Sequence, residues 1–157
     1  MATKTSKRAG ETSTTVSVGI RIDPKIKFAL DMMGRSQKRS LTAVIEWAIA
    51  TAMSQQAIES VSGPKAVDEV IEAIWSTDEA TKFLNMCFEV PSLLTYDEMR
   101  IWDTIQLSPD FWTTPKATNY RNHLSEFMVR DHWDKLKEHV EKFKNSASVV
   151  AYSTIPF

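Results

Sequence analysis

Thr15-Val16-Ser17-Val18-Gly19-Ile20-Arg21-Ile22, running straight into Asp23-Pro24, is the stretch on which the fold turns. Val16, Val18, Ile20 and Ile22 share one parity; Thr15, Ser17, Gly19 and Arg21 share the other. A two-residue period places all the apolar side chains on one face of a half-buried strand. No segment nearby in the sequence offers a matching alternation to pair with it. The same strand of a second molecule can do so.

Downstream, Asp23 suits a helix N-cap and Pro24 the first helical position. Ile26, Leu30 and Met33 then recur at i, i+4, i+7, with Ala29 on the same face. This first helix ends at Gly34 or runs on to about Gln37. After the basic turn Lys38-Arg39, Ser40 is the expected N-cap of a second helix. Its broad apolar stripe is Leu41, Val44, Ile45, Ala48, Ile49, Ala52 and Met53. Ser62-Gly63-Pro64 breaks the pattern and marks the expected domain boundary. The organisation is therefore a polar arm over 1–14, a strand-helix-helix domain over 15–62 and a helical domain over 63–157.

In the helical domain one helix is expected over Ala66–Trp75, with Val67, Val70, Ile71 and Ile74 inward. Ser76-Thr77-Asp78-Glu79 and Thr95-Tyr96-Asp97-Glu98 each fit a capping box opening a further helix. The second of these presents Met99, Trp102 and Ile105 on one face. A loop, Leu107–Pro115, carries Phe111-Trp112, either tucked in or exposed as an anchor for a partner. A long amphipathic helix over 117–144 is expected to bury Leu124, Phe127, Met128, Trp133, Leu136, Val140 and Phe143. Trp75, Trp102, Trp112 and Trp133 are the expected aromatic core. The tail Ser148–Ile155 has β propensity but alternates weakly.

Composition is that of a globular chain: 157 residues, 43% hydrophobic and 25% charged. No apolar run approaches the ~20 residues that span a bilayer. The basic N-terminus lacks the apolar stretch of a secretory signal, so the cytoplasm is expected. The net charge of −1 conceals a split. Residues 1–40 hold nine Lys/Arg against Glu11, Asp23 and Asp31, while 41–157 carry a surplus of seven carboxylates. Such a division suggests a head that binds a polyanion on an acidic body.

Chemistry-bearing patterns are sparse, and no enzymatic activity, cofactor or metal is expected. His123, His132 and His139 do not fall at metal-ligand spacing; solvent-facing roles are expected for His132 and His139. The single cysteine, Cys87, sits between Met86 and Phe88 and is expected to pack as a small apolar residue. Gly-rich phosphate loops and nucleophile elbows are missing.

The order basic arm, alternating strand ending in Arg21-Ile22, Asp-Pro start, basic turn, and Ser40-x-Thr42 opening an alanine-rich helix resembles the ribbon-helix-helix DNA-binding proteins. The resemblance covers roughly residues 15–54. It implies a mainly α fold in which two chains pair their strands antiparallel. The outward residues Thr15, Ser17, Gly19 and Arg21 would read base edges in the major groove of double-stranded DNA. Val16, Val18, Ile20 and Ile22, with Ile45 and Ile49, would form the dimer interface. The start of the second helix, with Lys38, Arg39, Ser40 and Thr42, would clamp phosphate, helped by Lys4, Lys7 and Arg8 of the arm. Two departures stand out: Gly19 offers no side chain where the family puts a polar one, and Lys38 stands where it often has glycine. The implied function is a transcriptional repressor acting on operator DNA at the nucleoid. Alternatives are an antitoxin-type regulator whose C-terminal domain binds a partner protein, or a DNA-organising protein. If the tail 148–155 paired with 16–22 in the same chain, the intermolecular ribbon would be lost.

Overall fold

The computed structural model describes residues 16–114 and 121–154. The chain is mainly helical, with one small antiparallel sheet among the described residues. It divides into two compact units, Met1–Trp47 and Ala48–Phe157.

In the first unit, residues 16–22 pair with no other described segment. Helix α1 (Pro24–Gln37) begins as its sequence dictates: the Asp23 carboxylate accepts from Lys25 N–H at 2.8 Å and Pro24 needs no acceptor. Gly34 does not end it. The helix stops at Lys38, whose backbone is left-handed (φ 52°, ψ 42°), and Arg39 N–H closes the turn on Gly34 C=O at 2.9 Å. Helix α2 (Leu41–Gln55) follows at once, with the Ser40 hydroxyl accepting from Ala43 N–H at 3.2 Å.

The second unit contains the end of α2, then strands β1 (Ala57–Ser60) and β2 (Gly63–Ala66), paired Ala57 to Ala66 and Ser60 to Gly63. Ser62-Gly63-Pro64, expected as a domain boundary, is the turn of this hairpin. Gly63 supplies the positive φ of 105°, and the Ser60 hydroxyl donates to Gly63 C=O at 2.7 Å. The division falls earlier, inside α2.

Helix α3 (Val67–Ile74) buries Val70 and Ile74 but leaves Ile71 exposed. Trp75 lies just past its end and is 65% exposed, contrary to its expected place in the core. The Lys82 ammonium covers its ring at 5.4 Å. Helix α4 (Glu79–Glu89) is capped by Asp78, which accepts from Thr81 N–H at 2.8 Å, rather than by Ser76 in a capping box. The box at Thr95 and Glu98 does form and starts α5 (Tyr96–Leu107).

The single long helix expected over 117–144 is instead a 3-10 turn at Arg121–His123, then α6 (Glu126–Asp131) and α7 (Trp133–Lys142); 115–120 lie outside the described residues. Thr113 N–H donates to His123 C=O and Ser125 N–H to Phe111 C=O, both at 2.8 Å, which ties 123–125 to the preceding loop. The step from Met128 to Trp133 exceeds a helical turn, so the break at His132 lets Trp133 and Leu136 face inward while Phe127 is left exposed. The core gathers Phe83, Leu84, Cys87, Ile105, Phe111, Trp112, Val129, Trp133 and Leu136. Phe111 and Trp112 are therefore tucked in, and the Trp112 indole N–H donates to Ile105 C=O at 2.8 Å.

The described tail, to Thr154, forms no strand. It is strapped onto the second unit: Tyr152 stacks on Phe111 at 5.8 Å and 2°, and its N–H donates to the Ser108 hydroxyl at 2.8 Å. Its hydroxyl lies 3.0 Å from His132 Nδ1, and His139 Nε2 donates to Val150 C=O at 2.9 Å. Both histidines thus hold the tail instead of facing solvent.

Candidate nucleic-acid interface

Among the described residues of the first unit, only Gly34 and Val44 are buried. The apolar parity of the alternating stretch is open: Val16 is 87% exposed, Val18 76% and Ile20 65%. Ile49, named for the dimer interface, is also exposed, and Ile45 is half-buried. Ser17, Gly19 and Arg21 on the other parity are exposed as well. A Cβ at Gly19 would meet nothing within 4 Å, so packing within the chain does not require glycine there. Thr15, Lys4, Lys7 and Arg8 lie outside the described residues.

The turn between α1 and α2 brings the other named cations together. Its left-handed cap folds the chain back on the last turn of α1, and Leu30, Gly34, Arg35, Lys38, Arg39 and Leu41 line an open cleft of about 490 Å3 there. Lys38, Arg39, Ser40 and Thr42 are all exposed. Arg35 belongs with them, although its position in the first helix hides this in the sequence. The signal that betrays it is the spacing to Lys38, one turn on, which the cap converts into proximity. Asp31 also lines the cleft, but its carboxylate is paired with Lys27 at 2.6 Å. Arg35, Lys38 and Arg39 form no ion pair among the described residues, so the cleft carries a positive surplus.

The opening turn of α2 adds to this. Ser40 satisfies Ala43 N–H, while a helix start leaves further N–H groups without intrahelical acceptors. These and the helix dipole favour an anion at the same end as the three cations.

No family model matches this chain. Comparison with curated proteins and with solved structures likewise gives no match.

Elsewhere, the described residues contain no group of three or more His, Cys, Asp or Glu placed to hold a metal ion, and no helix long and apolar enough to cross a membrane. Cys87 is buried, and burial drives its thiol far above the usual range, out of reach of thiolate chemistry at neutral pH.

Proposed function

We propose that the chain is a sequence-specific DNA-binding repressor of transcription, active as a homodimer whose first units pair residues 15–22 into an antiparallel ribbon. The observation that carries this reading is the exposure of Val16, Val18 and Ile20 on one parity beside Ser17, Gly19 and Arg21 on the other. Full burial of a valine or isoleucine is worth ~1.5–3 kcal/mol. Covering these side chains in both chains thus offers on the order of 10 kcal/mol toward association, an upper figure because the free chains already bury some apolar surface. A ribbon made this way turns its other face outward. It carries Arg21, whose planar fork suits guanine O6 and N7, and Ser17, which discriminates weakly. Gly19 lets the backbone approach the groove. Most base reading then rests on Arg21.

The cleft at the α1–α2 turn is the phosphate-holding element of this reading. Lys38, Arg39 and Arg35 supply charge, and Ser40, Thr42 and the start of α2 supply donors. The packed core of the second unit supports a folded module for cooperativity between dimers or for a protein partner, over the short unstructured inhibitory segment of a simple antitoxin.

Selection of bound sequences from a random DNA library at controlled salt tests the reading. A palindromic or repeated half-site is expected. Arg21→Ala should relax the preference at one position per half-site at a cost of ~1–3 kcal/mol, and Lys38→Ala should weaken binding uniformly. Enrichment of no sequence, or operator binding untouched by both variants, would sink the assignment.

A further inference from the structure

Helix α5 turns Ile101, Trp102 and Ile105 toward the core of the second unit and presents another face to water. On that open face Tyr96, Arg100, Asp103 and Leu107 recur at i, i+4, i+7 and i+11. Steps of four, three and four are those of a seam along which two helices pack. Tyr96 is 64% exposed and Leu107 54%, and Met99 beside them is exposed too. Large apolar side chains thus stand at both ends of a seam whose middle holds a cation and a carboxylate.

Those two charges are unmatched within the chain: Arg100 and Asp103 form no ion pair among the described residues. Asp103 is exposed. The Arg100 guanidinium donates from one terminal nitrogen to Phe143 C=O at 2.9 Å and from the other to the Tyr96 hydroxyl at 3.4 Å, which lays it along the seam beside an exposed ring. Its Nε is buried, but each terminal nitrogen keeps a further hydrogen to donate. At the far end of the seam an open groove of about 480 Å3 is lined by Asp103, Gln106 and Leu107 of α5 and by Ser148 and Val149 of the tail.

We propose that α5 packs antiparallel on α5 of a second copy of this chain, about a two-fold axis level with the step from Ile101 to Trp102. Every contact in such an interface occurs twice. This register sets Tyr96 over the partner's Leu107, so that the ring enters the groove there, and it sets Arg100 against the partner's Asp103. Asp97 falls opposite Gln106, so no like charges face each other directly. A parallel pair in register would instead put Arg100 on Arg100 and Asp103 on Asp103, which repel. Charge complementarity therefore selects both a second copy and its direction. The helix has 12 residues, and a seam ~18 Å long is smaller than the interfaces of stable complexes. Its dissociation constant is accordingly on the order of 0.1–1 mM in free solution, and it gains where ribbon dimers lie side by side. The pairing does not rest on the DNA-binding reading; it would supply that reading with a contact between dimers.

Sedimentation equilibrium of the full chain at ~10 µM and ~1 mM brackets this range. The mass should rise between the two. The same rise should appear in Ile20→Asp, so a failure of the ribbon would not remove it. Asp103→Arg, at an exposed position with no ion pair to lose, sets Arg against Arg and should abolish the rise. Adding Arg100→Asp restores opposite charges and should recover it, with circular dichroism to check that the double variant is folded. A second measurement leaves the seam intact. Chains carrying Asp97→Cys and chains carrying Gln106→Cys, mixed and treated with a short bis-maleimide, should give a covalent dimer, and neither alone should, Cys87 being buried. No rise in mass, a rise unchanged in Asp103→Arg, a folded double variant that does not recover it, or no crosslink peculiar to the mixture would overturn the proposal.

Discussion

Lys38 sits in a backbone conformation (φ 52°, ψ 42°) that glycine adopts without cost and a lysine does not. A helix C-terminus of this kind ordinarily carries glycine at that position. Lys38→Gly is therefore expected to raise the free energy of unfolding by ~0.5–1 kcal/mol, the strain relieved less the added freedom of the unfolded chain. Urea titration at fixed protein concentration measures it. In the DNA-binding reading the same substitution lowers affinity across all sequences and reduces the salt slope by ~1 for each phosphate no longer neutralised. A gain in stability with weaker binding would show that the lysine is kept for its charge. Gly34 is the complementary case. In a helix interior, alanine usually gains up to ~1 kcal/mol over glycine. Here a Cβ would stand 3.1 Å from Arg39 C=O and 3.7 Å from Val44 Cγ2, both fixed by the turn. Gly34→Ala should thus lose stability in the same titration. The sequence offers Gly34 as the helix stop because glycine is the usual stop signal. Its use for close approach depends on where Arg39 and Val44 return, which local pattern does not carry.

The tail strap shows the same limit for a longer segment. Weak alternation over 148–155 hints at a strand, but its polar groups are satisfied by side chains: Thr154 N–H and hydroxyl both donate to the Asp110 carboxylate, at 2.7 and 2.8 Å. These bonds hold the Asp110 carboxyl below the usual aspartate range. A depressed pKa stabilises the docked tail fully above the ordinary value and loses that contribution as pH falls through the lower, folded one. The Thr154 amide resonance should hold its hydrogen-bonded shift at neutral pH and move only once the pH drops below ~4. In Asp110→Ala it should stand at the released position throughout. A Thr154 shift unchanged in Asp110→Ala, or one that already moves well above the ordinary aspartate range, would contradict the strap. Short-range signals were legible: Asp23-Pro24, Ser40 and the Thr95 box all cap as their spacing implies. The division of 117–144 was not, because its cause is the pairing of 123–125 with Phe111 and Thr113, and the docking of Tyr152 beside His132.

The two units differ in what they bury, and this bears on how the protein exists in solution. The second closes a core around Leu84, Ile105, Phe111 and Leu136, each essentially inaccessible. The first covers Val44 and Gly34 and leaves the alternating face of 16–22 to water. A segment with so little of its apolar surface buried cannot offset the ~1–2 kcal/mol per residue of backbone entropy lost on ordering. On the ribbon reading its order comes from association, so the stability of the first unit should rise with protein concentration while that of the second does not. Ile20→Asp separates the two. It would place two carboxylates in a symmetric apolar interface, where neither finds a partner, a cost of several kcal/mol. On that reading the native chain sediments as a dimer, and sedimentation equilibrium should report a monomer for the variant at the same concentrations. The emission of Trp112 and Trp133, buried in the second unit, should stay blue-shifted because their surroundings are untouched. A dimer that persists in Ile20→Asp would mean that the chains associate through another surface. The exposed parity of 16–22 would then need a different occupant, and Arg21 would lose its place on an outward-facing ribbon.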